Sequence, residues 1–146
     1  FFGSSGNDTL FGYDGRDRIQ GNQGGDRVFG GEGRDVLFGQ SGADLLYGEA
    51  GNDRLLGGGQ SDTLIGGSGA DTLQGNRGRD TLQAGADNDN LFGNAGNDRL
   101  VGGGGRDVLR GGPVPIGCRV VAAMIPTMWI TLETDCSRTT KGGWTM

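Results

Sequence analysis

Histidine is absent from the chain of 146 residues, and cysteine, proline and lysine are scarce. Without histidine, the sequence contains neither the HExxH motif of zinc proteases nor a Ser-His-Asp triad of the usual kind. Two cysteines are too few to predict a disulfide framework. Only 33% of the residues are hydrophobic, whereas 34 are Gly, and this composition argues against an ordinary globular core.

The charge and the composition both change near residue 112. Residues 1–112 carry 16 Asp and Glu against 10 Arg, whereas the later residues carry two acidic and three basic side chains. All Cys, Pro, Trp and Met residues lie in that later segment. With a net charge of −5, the whole chain disfavours nucleic acid as a partner and favours cations.

Aspartate recurs every nine residues in the first 112 residues, twelve times without a slip. An aliphatic residue follows each Asp by two. Gly precedes each Asp by two, except at Gln60 and Asp87, and by five, except at Ala84. We number the repeats 1 to 12, from Gly3–Phe11 to Gly102–Arg110, and the places in each repeat 1 to 9, with Asp at place 6. Interior Gly costs a helix about 1 kcal/mol per residue, so the period predicts a coil of turns and short strands.

Two of the nonamers, Gly30–Phe38 and Gly66–Gln74, fit the pattern G-G-x-G-x-D-x-U-x at every place. With twelve nonamers in register, the chain resembles the repeats-in-toxin family of hemolysin-type calcium-binding repeats. The resemblance implies an all-β parallel β-roll, a β-solenoid with two repeats per coil, and secretion by a type I route. It also implies that each calcium ion lies between two stacked turns, bound by Asp carboxylates and by loop carbonyls such as those of Gly31, Gly33, Gly67 and Gly69.

The predicted carboxylate ligands are the twelve Asp residues at place 6: Asp8, Asp17, Asp26, Asp35, Asp44, Asp53, Asp62, Asp71, Asp80, Asp89, Asp98 and Asp107. Two nonamers per coil stack these residues in two columns at the strand spacing of about 4.8 Å. Adjacent carboxylates then repel by a few kcal/mol at an effective dielectric constant near 20, so the arrangement needs a cation. Hard oxygen ligands in flexible loops favour Ca²⁺ over Mg²⁺, and the repeats lack the His and Cys that Zn²⁺ prefers.

The local structure within a repeat also follows from the pattern. We expect places 7 to 9 to form a strand of three residues, in which Thr72 and Gln74 point outward and Leu73 points inward. Six turns on each side leave five gaps per side, so about ten calcium ions is the upper limit for this geometry. Because the apolar core is small, we expect the chain to fold on binding calcium. Gln60 and Asp87 must adopt a loop conformation usually held by Gly, and we expect repeat 7 to bind calcium most weakly.

Several simpler interpretations of these features remain open. A Gly- and Asp-rich acidic chain is compatible with a disordered linker, although disorder requires no register. The outward aromatic residues form either a binding stripe or ordinary strand surface, and the Arg residues beside the Asp columns either moderate repulsion or are simply solvated. The threonines hint at an ice-binding ladder, but only Thr63 and Thr81 would share a face.

The chain divides into three segments. We expect residues 1–2 to be a truncated N-terminal edge and residues 3–112 to be the repeat array. Residues 113–146 form an atypical tail in which Cys118 and Cys136 are the only candidates for a disulfide. Reverse translation of the tail, read one base out of frame, permits the nonamer with Asp at the Met124–Ile125 junction. We therefore interpret the tail as a possible product of a frameshift near residues 111–113.

These observations predict a secreted, extracellular calcium-binding module that is a structural or secretion-coupled part of a larger exported protein. The first alternative is a repeat module that assists an attached hydrolase, protease or epimerase domain. The second is an adhesive cell-surface repeat. The chain itself offers no catalytic constellation, because a ladder of identical Asp residues suits metal binding rather than acid–base asymmetry. No organic cofactor, nucleic-acid partner or transmembrane segment is predicted.

Overall fold

The computed structural model describes residues 1–112 and 131–132, and all of its regular structure is β-strand. Within this part of the chain there is no helix, and hence none long and apolar enough to cross a membrane. The strands are β1 (Thr9–Gly15), β2 (Arg18–Gln23), β3 (Arg27–Gly33), β4 (Val36–Ser41), β5 (Leu45–Ala50), β6 (Arg54–Gly59), β7 (Thr63–Ser68), β8 (Thr72–Arg77), β9 (Thr81–Ala86), β10 (Asn90–Ala95), β11 (Arg99–Gly103), β12 (Val108–Arg110) and β13 (Thr131–Leu132).

The strands form two parallel sheets that the chain visits alternately. The odd-numbered strands β1 to β11 form one six-stranded sheet, and the even-numbered strands β2 to β12 form the other, with β13 at its end. Each strand pairs with the strand two repeats later, so that Leu46 lies beside Leu64 and Leu64 beside Leu82. Two nonamers therefore close one coil, and the predicted β-solenoid is confirmed, with about six coils.

The strands are longer than the sequence pattern predicted. Most have six residues rather than three, because the parallel pairing continues past place 9 into places 1 to 3 of the next repeat. For example, β5 and β7 pair both at Tyr47 with Ile65 and at Ala50 with Ser68. The glycine-rich half of each repeat thus contributes to the ladder, and the expectation of a three-residue strand was wrong.

The core is one inward-facing column of aliphatic side chains for each sheet. The place-8 residues from Ile19 to Leu109 are at most 3% exposed, and the first of the series, Leu10, is half-buried at the end of the stack. Thr72 and Gln74 point outward beside the buried Leu73, as predicted. One file of aliphatic residues in each sheet makes a thin core, so the stability of the fold also depends on the groups in the turns.

The outward face of the odd-numbered sheet carries a continuous aromatic column. Phe11, Phe29 and Tyr47 stack with ring centroids 4.9 Å apart and interplanar angles of 9° and 5°. The alternation of consecutive repeats between opposite sheets hides this column in the sequence, whereas Phe38 and Phe92 lie apart on the other sheet. Thr63 and Thr81 do lie side by side, as expected. The cysteine pair and the proposed frameshift lie outside the described residues.

Candidate calcium-binding turns

The twelve place-6 Asp residues each lie directly before a strand, in two columns that follow the starts of the two sheets. In ten consecutive pairs along the columns, the backbone N–H of one Asp donates to the Oδ1 atom of the Asp one coil later. The bond from Asp53 to Asp71 Oδ1, for instance, is 2.8 Å long. Each accepting carboxylate is therefore held by the coil before it. The stacking of the Asp residues in two columns is as the sequence predicted.

The second carboxylate oxygen of these residues has no comparable partner. In Asp17 and all ten later members of the two columns, Oδ2 is buried and accepts no hydrogen bond within the described residues. Asp8, at the end of the solenoid, differs because its Oδ2 accepts the backbone N–H of Ser4 at 2.6 Å. A buried, unsatisfied polar group costs about 1–3 kcal/mol, and a charged one costs more, so the protein alone leaves these oxygens in an unfavourable state.

Ten of these eleven oxygens face a recess beside the place-1 glycine of their own repeat; the exception is Asp89, whose repeat has Ala84 at place 1. A Cβ atom added to Gly48 would stand 2.6 Å from Asp53 Oδ2 and 2.6 Å from the carbonyl oxygen of Gly66, one coil later. The same addition to Gly30 would meet Asp35 Oδ2 at 2.6 Å and the Gly48 carbonyl at 2.8 Å. These glycines do not have positive φ values, so space and not backbone conformation requires them. Their lack of a side chain keeps open a volume that carboxylate and carbonyl oxygens share.

Burial raises the pKa of most of these carboxyl groups. The pKa of Asp62 and that of Asp71 rise to about 7: burial is the largest cause, the backbone N–H bond to each group lowers the pKa, and neighbouring Asp residues raise it. The pKa values of Asp53, Asp80 and Asp89 rise to about 6, also chiefly because of burial. The columns are thus sites where negative charge is unfavourable unless a cation compensates it.

The turns have positive φ at both place 2 and place 4. Place 4 was expected, and Gln60 and Asp87 indeed adopt φ values of 78° there. The positive φ at place 2 was not predicted. Six non-glycine residues adopt it there: Tyr13, Asn22, Gln40, Glu49, Asn76 and Asn94. Asn tolerates this conformation better than most residues, and its three occurrences at place 2 were the available sequence signal.

The loop carbonyls point along the solenoid axis toward the next coil. The carbonyl oxygens of Gly33 and Gly67 lie against the positions where Cβ atoms would stand on Gly51 and Gly85. Sequence reasoning named these place-2 and place-4 carbonyls, but it missed the place-1 carbonyls, such as that of Gly66. It is the place-1 carbonyls that share a recess with the unsatisfied Asp oxygens.

The donor set fits a hard cation with a high coordination number. No group of three or more Asp, Glu, His or Cys side chains within the described part of the chain converges on one point. A cation in these turns would therefore combine carboxylates from neighbouring coils with backbone carbonyls. Ca²⁺ takes six to eight oxygen ligands in a flexible geometry, whereas Mg²⁺ demands a near-ideal octahedron. The orphaned Oδ2 atoms and the open recesses are what a calcium site of this kind requires.

Two arginines beside the columns do not neutralise them directly. Arg34 and Arg54 share a groove with Asp35 and Asp53. Neither arginine makes an ion pair within the described residues, and the Nη2 of Arg54 instead donates to Gln74 Oε1 at 3.4 Å. These two guanidinium groups lie on the surface, where solvent screens them.

Comparison with known proteins agrees with this architecture. No curated protein matches the chain. The family model for the RTX calcium-binding nonapeptide repeat matches in four copies, over residues 2–37, 29–64, 65–100 and 92–113. The family implies calcium binding by a β-roll, it is typical of secreted proteins, and it consists of repeats rather than a catalytic domain. The matches span the whole of the array that carries the two Asp columns, and the chain belongs to the RTX calcium-binding nonapeptide repeat family.

Proposed function

We propose that residues 3–112 fold on binding a column of calcium ions in each row of turns and serve as a structural or secretion-coupled module of a larger exported protein. The twelve place-6 Asp residues supply the carboxylates, and backbone carbonyls complete the sites. The upper limit remains about ten ions, because twelve turns leave five gaps on each side. The module has no catalytic role of its own.

The observation that carries this proposal is the row of eleven buried Oδ2 atoms without a hydrogen-bond partner. A protein that folded without a ligand would leave few such atoms, because buried polar groups are nearly always satisfied. Here they recur at the same place in every repeat after the first, and in all but repeat 10 they lie beside a place-1 Gly. Binding free energy from the ions therefore contributes directly to folding free energy.

The test is a calcium titration of protein freed of metal on a chelating resin, followed by far-ultraviolet circular dichroism at pH 7.5, with magnesium as the control cation. We expect a transition from coil to β near millimolar calcium, the range typical of extracellular calcium modules, and none with magnesium. Asp62→Asn should raise the calcium midpoint. The matched control Asp14→Asn, at an exposed residue outside both columns, should leave it unchanged. A β signal at pH 7.5 that is present without calcium would contradict the proposal.

The stacked column of Phe11, Phe29 and Tyr47 favours a second candidate function, an adhesive surface repeat. Three parallel aromatic rings on one flat sheet present a continuous apolar edge to the solvent. Under this hypothesis, replacement of all three residues by Thr abolishes calcium-dependent adhesion to a cell or glycan surface while the calcium-induced dichroism persists. Adhesion that survives the replacement would exclude a role for this column.

A further inference from the structure

Repeat 10, residues 84–92, departs from the repeat pattern at two places. It has Ala84 at place 1 and Asp87 at place 4, where nearly all other repeats have Gly. Repeat 7 has only one comparable departure, Gln60 at place 4. Gln60 and Asp87 share the same backbone conformation, with φ of 78°, so they differ in charge rather than in local geometry.

Both carboxylates of the repeat 10 turn reach toward the turn of repeat 8. Asp89 Oδ1 accepts the backbone N–H of Asp71 at 2.8 Å, and Asp87 Oδ2 accepts the backbone N–H of Gly69 at 3.1 Å. The two donors are only two residues apart in the same turn. The charge of Asp87 is close enough to raise the pKa of both Asp71 and Asp89. The gap between repeats 8 and 10 is thus bordered by three carboxylates rather than two.

The same gap retains an open recess for a cation. Asp71 Oδ2 is buried without a hydrogen-bond partner. It shares the space beside Gly66 with the Ala84 carbonyl oxygen, which lies 2.6 Å from the point where a Cβ atom on Gly66 would stand. The recess therefore contains an unpartnered carboxylate oxygen and a carbonyl oxygen, and Asp87 adds a further negative charge at its border.

The gap on the other side of repeat 10, toward repeat 12, leaves less space for a cation. Ala84 is the one place-1 residue of the twelve repeats with a β-carbon, and its side chain is fully buried. At the equivalent place in repeat 6, a Cβ atom would stand 2.6 Å from Asp53 Oδ2. The Ala84 methyl group therefore occupies the recess that the neighbouring repeats leave open, on the side that faces repeat 12.

We infer that repeat 10 makes its two gaps unequal: the gap to repeat 8 is the tightest calcium site of the array, with Asp87 as an additional carboxylate at its border, and the gap to repeat 12 binds no calcium because of Ala84. This inference rests on the proposed calcium function. Calcium affinity rises with the number of charged ligands, so the gap to repeat 8 fills first in a titration.

The first test is hydrogen–deuterium exchange of the whole chain at calcium concentrations below the folding midpoint. We expect amide protection to appear first in peptides that cover residues 66–92 and later in those that cover residues 39–65. Protection that appears first elsewhere would overturn the inference. If the wild-type chain shows no calcium response at all, the proposed function itself fails. A calcium response without this order would contradict only the inference.

Two variants separate the charge of Asp87 from its conformation. Asp87→Asn should weaken the tightest site about tenfold in a calorimetric calcium titration, since it removes one negative charge from the border of that site. The matched control Gln60→Asn changes no charge at the same place of another repeat and should not weaken that site. Equal effects of the two substitutions would refute the role of the Asp87 carboxylate. Dichroism at saturating calcium verifies that both variants fold.

Ala84→Gly tests the other half of the inference. Removal of the methyl group opens the recess toward repeat 12, so the number of calcium ions bound at saturation should increase by one. An unchanged stoichiometry would show that the methyl group does not block that gap. The wild-type exchange experiment is independent of this variant, so each half of the inference can fail on its own.

Discussion

The buried Asp columns predict that, without calcium, the fold is stable in acid and lost near neutral pH. The pKa of Asp62 and that of Asp71 rise from 3.8 to about 7 in the folded state, mainly because of burial. Each pKa unit corresponds to about 1.4 kcal/mol, so ionising either group in the calcium-free fold costs about 4 kcal/mol. Two such groups already offset much of the 5–15 kcal/mol that stabilises a typical domain.

The sign of this effect follows from proton linkage. Well below pH 3.8, the ordinary pKa of Asp, these carboxyl groups are protonated in both states, and burial carries no ionisation penalty. As the pH rises from 4 to 7, the unfolded chain releases its protons while the folded state retains them, so folding stability falls throughout this window. Above pH 7 the full penalty applies, unless a bound cation replaces the proton.

The assay is circular dichroism of calcium-free protein between pH 4 and pH 8, with a parallel series in excess calcium. We expect a β spectrum near pH 5 that is lost as the pH passes through 6 to 7, and no such loss in the presence of calcium. Asp71→Asn should shift the loss to higher pH, because an amide keeps the shape of the side chain without the charge. Asp14→Asn should have no effect. A coil spectrum in calcium-free protein at every pH would refute the reasoning.

Three further predictions concern single features of the repeat, and a fourth concerns the tail. Gly48→Ala should lower calcium affinity in a calorimetric titration, because the new methyl group would stand 2.6 Å from Asp53 Oδ2. The control Gly104→Ala should leave the affinity unchanged, because no atom lies within 4 Å of its added carbon. Leu64→Ala should lower the unfolding free energy of the calcium-bound form by about 2–5 kcal/mol in denaturant titrations, because Leu64 is fully buried. Gln60 adopts a left-handed backbone conformation that costs a non-glycine residue about 1–3 kcal/mol, so Gln60→Gly should lower the calcium midpoint of the array. Sequencing of the source DNA tests the frameshift hypothesis for residues 113–146, which an intact frame without overlapping repeat codons would exclude.

The fold followed from the sequence because a nine-residue period leaves little freedom. Asp at place 6 and an aliphatic residue at place 8 define which side chains point inward, and pairing by two repeats follows from closing a coil. The extent of the strands did not follow. Places 1 to 3 look like turn sequence because of residues such as Gly48 and Glu49, yet their backbone pairs in parallel with the adjacent coils. Propensity describes a residue alone, whereas pairing in a solenoid is enforced by the neighbouring coils.

The sequence predicted where the carboxylates of the candidate site lie, but only some of the carbonyl groups beside them. The Asp register alone was enough to place two columns, but a repeat with glycines at places 1, 2 and 4 does not reveal which glycine serves which purpose. The structure separates them: Gly33, at place 4, has a φ of 133°, whereas Gly30, at place 1, is required by the space beside Asp35 Oδ2. Such a distinction depends on contacts between coils, which a linear pattern does not contain.

Along most of the array, the two oxygens of each column Asp face the coils on either side, and under the proposed function this couples folding to calcium binding. Asp53 Oδ1 accepts the backbone N–H of Asp35 in the coil before, while its Oδ2 shares a recess with the Gly66 carbonyl of the coil after. An ion bound at one gap therefore orders a carboxylate whose other oxygen holds the adjacent coil. Since each coil contacts mainly its neighbours, such shared residues are the principal route by which order spreads along the array. Under the proposed function, the same Asp residues that destabilise the calcium-free solenoid thereby make its folding cooperative once calcium is bound.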